Sequence, residues 1–388
     1  MSILPDDFTL LQVTPELETG GAEQTTIDVA HGVIAQGGKA LVATKGGRMA
    51  ARLEADGGRL AQMPAQSKNP LIMLGNAARM IDLIRREKVS LVHARSRAPA
   101  FSALWAAHAT KVPFVATYHG VYNARSNLKR WYNAVMTKGD LVIANSEYTR
   151  AHVIAEHGVP ADRVVAIPRG VDLTRFEPGL VSAERVKTLR DAWGVQTEDR
   201  RLKVLLAGRL TRWKGQALVI EAMARLKAIS DTRILLLLVG DDQGRKAYRA
   251  ELEHMIAQAG LQDSVRLVGH CDDMPAAYLV ADLAIAPSLE PEAFGRTAVE
   301  PQVMGKPVMA ADHGAARETV VNGETGWLVK PGDPEAWAEA LSNACESGAA
   351  RRQVMGMAAR SRARKLYSVD AMVEATLKVY ARVLETKR

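Results

Sequence analysis

The sequence has few cysteines and no long apolar run. Only Cys271 and Cys345 occur among 388 residues, which is too few for a disulfide framework, and neither lies in a Cys-x-x-Cys zinc or redox motif. The apolar run Ile234–Val239 is far shorter than the roughly 20 residues that a membrane-spanning helix needs. The first residues, Met1–Asp7, lack the basic and apolar regions of a signal peptide. These absences predict a protein with reduced thiols that is made and kept in the cytoplasm.

Several nucleotide-binding motifs are also missing. The segment between the first predicted strand and helix, Pro15–Ala22, has no Gly-x-Gly-x-x-Gly, which argues against a dinucleotide-dependent dehydrogenase. The P-loop signature and the usual nucleic-acid-binding motifs do not occur either. The chemistry must therefore be sought in other loops.

The formal charge of +8 is unevenly distributed. Residues 75–138 contain 11 basic and 2 acidic side chains, whereas residues 171–388 contain 31 basic and 29 acidic ones. The sequence thus has one basic region in its first half and an otherwise nearly neutral composition.

Short runs rich in Val, Ile and Leu alternate with longer amphipathic stretches, the pattern of βαβ units on a parallel sheet. In the first half the predicted strands are Phe8–Val13, Ala40–Thr44, Leu60–Met63, Ser90–Ala94, Phe114–Tyr118, Leu141–Asn145 and Val164–Ile167. In the second half they are Leu202–Ala207, Ile234–Val239, Val265–Val268, Leu283–Ala286, Pro307–Ala310 and Gly326–Val329. We therefore expect an α/β protein with two doubly wound, Rossmann-like domains that face each other across a ligand cleft.

A polar segment with Pro178, Gly179 and Gly194 separates the two series of strands. It predicts a domain boundary near residue 178. The expected parts are an N-terminal domain of residues 1–177, a second domain of residues 178–368, and a last helix, residues 369–388, that could return to the first domain.

Two loops of the second half carry a candidate anion site. The strand ending at Ala207 is followed by Gly208, Arg209 and Lys214, and two cations in one loop suit a diphosphate. The other loop carries Glu292 just before a predicted helix and Glu300 about two turns inside it. Carboxylates accept hydrogen bonds from vicinal hydroxyls, so we expect Glu292 to bind a sugar and Glu300 a ribose. The alternatives are a solvated basic loop, a Glu292 that only complements a helix N-terminus, and a surface Glu300.

Short motifs are distributed over nearly the whole chain. The most specific motif is the segment from Glu292 to Glu300, Glu-x7-Glu, followed by Gly305-Lys306-Pro307-Val308. The others are Gly20-Gly21-Ala22-Glu23, His119-Gly120, Asn145-Ser146, Pro168-Arg169-Gly170-Val171-Asp172, Gly208-Arg209, Lys214-Gly215, Val239-Gly240-Asp241 and Gly323-Glu324-Thr325-Gly326. In order and spacing these motifs resemble those of the family 4 glycosyltransferases. Arg169 departs from the pattern, because the family often has Asn there.

This resemblance implies a GT-B fold and a retaining transfer from a nucleotide sugar without an essential metal. We expect a UDP-sugar as co-substrate and no other cofactor, and the sequence contains no Asp-x-Asp motif. The residues implied in catalysis are His119, Arg209, Lys214 and Glu292. Those implied in donor binding are Gly20, Gly21, Gly208, Phe294, Gly295, Arg296, Thr297 and Glu300. The resemblance also implies a glycan or lipid-linked acceptor in surface-polysaccharide or lipopolysaccharide assembly.

Two other functions of this architecture stay open, a nucleotide-sugar epimerase and a non-catalytic nucleotide-sugar-binding subunit. A retaining glycosidase has no need of a phosphate site. Residues 125–138 interleave cations with the apolar residues Leu128, Trp131, Tyr132 and Val135 at helical spacing. This pattern predicts either a helix on an anionic inner-membrane surface or an ordinary core helix with a solvated face.

Overall fold

The computed structural model describes residues 3–18, 20–122, 126–229 and 233–387. The chain divides into two compact units: Met1–Gly170 with Val369–Arg388, and Val171–Ser368. The division falls earlier than the boundary predicted near residue 178. The reason is a long-range pairing, because the amide of Val171 donates to the carbonyl of Tyr367 at 2.7 Å and Val171 forms a bridge with Ser368.

The strands occupy the predicted runs. They are β1 (Thr9–Val13), β2 (Lys39–Thr44), β3 (Arg59–Gln62), β4 (Leu91–Ala94), β5 (Phe114–Tyr118), β6 (Leu141–Ala144), β7 (Val164–Ala166), β8 (Leu202–Ala207), β9 (Ile234–Val239), β10 (Val265–Gly269), β11 (Leu283–Ala286), β12 (Val308–Ala311) and β13 (Gly326–Val329). Each predicted strand is confirmed, with its ends displaced by no more than one residue.

Helices connect successive strands, as parallel pairing requires. They are α1 (Gly21–Ala35), α2 (Ala50–Ala55), α3 (Pro70–Glu87), α4 (Arg97–Thr110), α5 (Asn127–Ala134), α6 (Glu147–His157), α7 (Ala183–Ala192), α8 (Gln216–Ile229), α9 (Lys246–Gln258), α10 (Met274–Val280), α11 (Arg296–Val303), α12 (Ala316–Thr319), α13 (Pro334–Glu346), α14 (Gly348–Leu366) and α15 (Val369–Lys387). Short 3₁₀ turns occur at Val135–Thr137, Ala161–Arg163, Pro178–Leu180 and Arg212–Lys214.

Both sheets are parallel and doubly wound. The strand order is β3-β2-β1-β4-β5-β6-β7 in the first unit and β10-β9-β8-β11-β12-β13 in the second. The order reverses between β1 and β4 in the first unit and between β8 and β11 in the second. In sheets of this kind ligands bind beyond the carboxyl ends of the strands at the reversal. The topology therefore identifies one candidate ligand position in each unit.

Both faces of each sheet are covered, which explains why strands such as β9 are apolar throughout. In the first unit, α15 covers part of one face and contributes Met372, Leu377 and Tyr380 to the core. The Tyr380 hydroxyl lies 2.5 Å from the Nδ1 atom of His93 on β4, and the other ring nitrogen of His93 lies 2.7 Å from the Thr117 hydroxyl on β5. The last helix is thereby attached to the centre of the first sheet.

Candidate donor site

Two loops of the second unit meet at the reversal of its sheet. One follows β8 and the other follows β11, and the Leu289 amide donates to the Trp213 carbonyl at 2.7 Å. Gly215 makes this approach feasible, because it has a φ of +79° and a Cβ there would lie 2.1 Å from the Pro287 carbonyl oxygen. The motif Lys214-Gly215 therefore has a structural reason for its glycine.

Lys214 and Glu292, predicted from separate loops, form an ion pair. The Lys214 Nζ atom lies 2.7 Å from the Glu292 Oε1 atom, and both side chains are largely buried. The Ser288 hydroxyl donates to the same oxygen at 2.6 Å. Lys214 also lies 4.4 Å from the centre of the Trp213 ring. These contacts hold the carboxylate and the ammonium group next to each other. For Lys214, the alternative of a merely solvated basic loop is therefore wrong.

Arg209 differs from Lys214 in its surroundings. Its side chain is exposed and forms no ion pair with a described carboxylate. The preceding residue, Gly208, has a φ of +157° and packs under the stem of Lys214. Among the described residues, the loop after β8 thus has two paired cations, Arg212 with Glu251 and Lys214 with Glu292, and an exposed Arg209 that forms no ion pair.

Glu300 is a buried residue. It lies one turn inside α11, so the predicted distance of two turns is wrong; the helix begins at Arg296, later than the sequence pattern indicated. Its carboxylate accepts a hydrogen bond from the Tyr278 hydroxyl at 3.2 Å and pairs with Arg296 at 2.9 Å. Burial and the charge of Glu300 raise the pKa of Tyr278 well above its usual value, so the phenol stays a donor. The alternative of a surface Glu300 is therefore wrong.

The start of α11 carries the remaining candidate donor residues. Gly295 precedes the helix with a φ of +77°, and Phe294 is buried with its ring against Tyr367. The Arg296 Nε and Thr297 Oγ1 atoms are buried and have no hydrogen-bond partner among the described residues. A helix start with such groups is suited to an oxyanion.

A small cavity opens beside this helix start. Its lining is Ala286, Ser288, Glu292, Phe294, Gly295, Ala298, Ala311, His313 and Ala316. His313 makes one hydrogen bond within it, in which its Nε2 atom donates to the Ser288 carbonyl oxygen at 2.8 Å. The cavity adjoins the Lys214–Glu292 pair through Glu292 itself.

The first-half candidates lie in the first unit. Gly20 and Gly21 form the start of α1, after β1. His119 follows β5, and both of its ring nitrogens are buried without a hydrogen-bond partner among the described residues. Burial, aided by the charges of Arg169 and Arg95, holds the pKa of His119 well below its usual range, so the imidazole is neutral at pH 7. The His119 carbonyl oxygen accepts hydrogen bonds from Asn145 at 3.0 Å and from Arg169 at 3.3 Å.

Sequence reasoning assigned no role to Ser288, Tyr278 and His313, although each contacts a predicted residue or lines the cavity. Single polar residues of these types form no pattern that could have identified them. His313 does follow a strand, β12, and that position was a usable signal. In the described part of the chain, no group of three or more His, Cys, Asp or Glu residues is arranged to hold a metal ion.

The predicted amphipathic segment is a shorter helix than its pattern suggested. Arg125 lies outside the described residues, and α5 covers only Asn127–Ala134. Leu128 and Trp131 are 74% and 63% exposed, whereas Val135 is buried. The apolar residues of this segment therefore divide between surface and core. None of the helices searched, those within the described ranges, has the length and apolarity to cross a membrane.

Two family models match the chain, one in each half. Residues 19–175 match the model described as Glycosyltransferase Family 4, and residues 190–362 match Glycosyl transferases group 1. A solved glycosyltransferase from Rickettsia africae is 33% identical, with a TM-score of 0.89, over 98% of this chain and 99% of that one. The Anabaena protein HepE, crystallised with UDP and glucose, is 26% identical over 97% of this chain and 100% of that one, with a TM-score of 0.81.

Among curated relatives, the D-inositol 3-phosphate glycosyltransferase of Xylanimonas cellulosilytica is 32% identical over 66% of this chain. The match spans 59% of that relative's length. Both family models, the full-length structural relative and the two parallel α/β units agree, and the chain belongs to the GT-B glycosyltransferases of family 4.

Proposed function

We propose that this protein is a retaining glycosyltransferase that takes its sugar from a nucleotide donor, with a UDP-sugar as the first candidate. The observation that carries the proposal is the cluster of Lys214, Glu292 and Ser288 at the sheet reversal of the second unit, beside the exposed Arg209. HepE, a relative of similar length, was crystallised with UDP-glucose.

The donor's diphosphate would bind Arg209, Lys214 and the start of α11. The Thr211 and Thr297 hydroxyls are buried in this unit without a hydrogen-bond partner among the described residues, and they would gain acceptors from such a ligand. Glu292 would orient the donor sugar, and Glu300, held by Tyr278 and Arg296, would accept from the ribose hydroxyls. His119 keeps its predicted role toward the donor sugar.

The proposed reaction is a front-face substitution. The acceptor hydroxyl attacks the anomeric carbon from the side on which the diphosphate leaves, and a phosphate oxygen takes the hydroxyl proton. Fixed cations stabilise the charge that develops on the leaving group, and the protein mainly positions its substrates. Because Arg209 and Lys214 supply this charge, chelation with EDTA should not change turnover.

A donor screen tests the proposal. UDP-, GDP-, ADP- and CMP-sugars are compared by thermal shift, since a ligand that binds only the folded state raises its melting temperature. The best donor is then incubated with and without acceptors, and the anomeric configuration of the product is read by NMR. A retained configuration supports the proposal, and an inverted linkage contradicts it. Conversion of donor without any acceptor would indicate the epimerase, and binding without turnover the non-catalytic subunit.

For the acceptor we propose a glycan or a lipid-linked glycan of surface-polysaccharide or lipopolysaccharide assembly. The names of the curated relatives favour a second acceptor class, a phosphorylated polyol. Both classes belong in the acceptor panel, and mass spectrometry of the product distinguishes them.

We also propose that the first unit can rest on the cytoplasmic face of an anionic membrane. Leu128 and Trp131 are exposed on α5 next to Lys129, and Leu71 and Leu74 are exposed at the start of α3. Exposed aromatic and aliphatic groups with nearby cations suit a headgroup layer. The full chain should sediment with phosphatidylglycerol vesicles and be released by salt. A double variant, Leu128→Ser with Trp131→Ser, should lose this binding; unaltered sedimentation would refute the membrane role.

A further inference from the structure

A group of arginines lies at the sheet reversal of the first unit, and none of them is among the residues assigned to the donor. Arg95 and Arg97 follow β4, directly beside the end of β1. The Arg95 amide donates to the Val13 carbonyl at 2.9 Å, which holds the start of this loop against the neighbouring strand. The position is the one at which a doubly wound sheet offers a ligand site.

Arg95 is a buried cation without a carboxylate partner. Its side chain is 2% exposed, and its Nε and Nη2 atoms both donate to the Gln12 Oε1 atom, at 2.9 and 2.6 Å. Among the described residues no carboxylate forms an ion pair with it within 4 Å, although the Tyr380 hydroxyl and, at longer range, the Asp28 carboxylate act on its charge. Burying a charge costs free energy unless the charge is compensated. A buried cation at this position therefore needs a structural or functional explanation.

Arg97 is fixed in position by neutral groups. Its guanidinium lies 4.0 Å from the centre of the Tyr122 ring, and its Nη1 atom donates to the Asn133 Oδ1 atom at 2.8 Å. It likewise forms no ion pair in the described part of the chain. A guanidinium that is held by a ring and an amide keeps further donors in a planar fork, the geometry that matches a carboxylate or a phosphate.

Arg169 brings a third cation to the same region. It donates to the His119 carbonyl oxygen, and its charge acts on both His119 and Tyr122. The charges of Arg95 and Arg97 act on the same two rings, Arg95 on His119 and Arg97 on Tyr122. The unpartnered ring nitrogens of His119 therefore lie among cations. Arg169 is also the residue at which the sequence departs from the commoner Asn of its motif.

We propose that Arg95, Arg97 and Arg169, beside His119, form a subsite for an oxyanion carried by the acceptor, a phosphate monoester or a carboxylate. The inference rests on the proposed function, since it assigns the donor's diphosphate to the second unit. Arg97 and Arg169 supply the donors that contact the oxyanion. Arg95, whose donors are directed to Gln12, contributes mainly its charge.

The test uses the full chain saturated with UDP, so that the donor's phosphate position is filled. Inorganic phosphate is titrated calorimetrically into the wild type, Arg97→Gln, Arg169→Gln and the control Lys39→Gln, which removes an exposed cation at the start of β2. We expect phosphate affinity to fall about tenfold in each arginine variant, the loss of one charge-assisted contact. We expect no change in the control and unaltered UDP affinity in all variants.

Two further measurements distinguish the loss of a phosphate contact from the loss of the fold. Arg97→Lys retains the charge and should recover part of the phosphate affinity, and melting curves establish that each variant is folded. If phosphate binding is unchanged in both arginine variants, or disappears once UDP is bound, the subsite does not exist and phosphate binds only at the donor position. If UDP does not bind but the arginine variants still weaken phosphate binding, the donor proposal fails and the subsite stands.

Discussion

Lys214 and Glu292 lie in one contact of the candidate donor site. Each was predicted to act on the donor, and in the structure they pair with each other at 2.7 Å. The Ser288 hydroxyl also donates to the Glu292 carboxylate, so this carboxylate keeps one hydrogen bond when Lys214 is removed. The loss of Lys214 should therefore be felt in catalysis more than in folding.

Lys214→Ala is expected to reduce kcat about 100-fold, the usual loss when one group that stabilises transition-state charge is removed. The free energy of unfolding should fall by only about 1 kcal/mol. Lys187→Ala is the matched control, because Lys187 forms an exposed pair with Asp191 on α7. Steady-state kinetics and urea unfolding give both quantities. Equal turnover in Lys214→Ala and the wild type would refute the assigned role.

His93 makes the stability of the first unit depend on pH. Burial, and then the charge of Arg95, holds its pKa well below the usual value. The unfolded chain, in which histidine has a pKa of about 6.5, binds a proton below that pH while the folded chain does not. The free energy of unfolding should therefore fall as the pH drops below about 6.5, by up to about 1.4 kcal/mol per pH unit for each such histidine.

His93→Gln should flatten this dependence between about pH 6.5 and 5, whatever its effect on stability at pH 7. The control, His254→Gln, removes an exposed histidine of α9 and should leave the slope as it is. The measurement is urea unfolding across the pH range. A slope that is the same in His93→Gln and the wild type would show that His93 is not the titrating group.

At the scale of elements, the loop after β12 packs against the backbone of Glu292 in the candidate donor site. Gly314 has a φ of +58°, and a Cβ there would lie 2.8 Å and 2.9 Å from the backbone oxygen and nitrogen of Glu292. The Ala315 amide donates to the same Glu292 oxygen at 3.0 Å. Gly348 offers a comparison, because its φ of +76° is similar but nothing lies near its Cβ position.

Both Gly314→Ala and Gly348→Ala should lose about 1 kcal/mol of stability from the left-handed backbone. Only Gly314→Ala should also displace Glu292, so its KM for the donor should rise several-fold while Gly348→Ala keeps the wild-type value. Thermal unfolding and donor-saturation kinetics separate the two effects. If the two variants had the same KM, the loop would not position Glu292.

The strands were predictable because each is a short run of Val, Ile and Leu between turn residues, and burial on both faces of a sheet requires such runs. The positions of Arg209, Lys214 and Glu292 in loops after strands were predictable, because the motifs that contain them follow predicted strands. The division of the two units at Val171 was not predictable, because it depends on a hydrogen bond to Tyr367, a residue far along the chain. The contact of Tyr278 with Glu300 was not predictable either, because the two residues are separated in the sequence.

At the scale of the whole molecule, each unit has its own sheet reversal and its own set of cations. In the second unit these are Arg209 and Lys214, which accompany two carboxylates. In the first unit Arg95, Arg97 and Arg169 lie around a neutral histidine, within or near the basic region of residues 75–138. This distribution fits a donor that is held through its diphosphate and its hydroxyl groups, and an acceptor that carries negative charge.

The central claim is that the second unit binds a nucleotide diphosphate through Arg209 and the start of α11. It is tested most directly by calorimetric titration of UDP into the full-length wild type, Arg209→Gln and Arg249→Gln. Arg249 is the control, a half-buried arginine on α9 whose side chain pairs with Glu253. We predict that UDP binds the wild type and the control equally and binds Arg209→Gln at least about tenfold more weakly. Equal affinity for all three proteins, or no binding of UDP to the wild type, would contradict the claim.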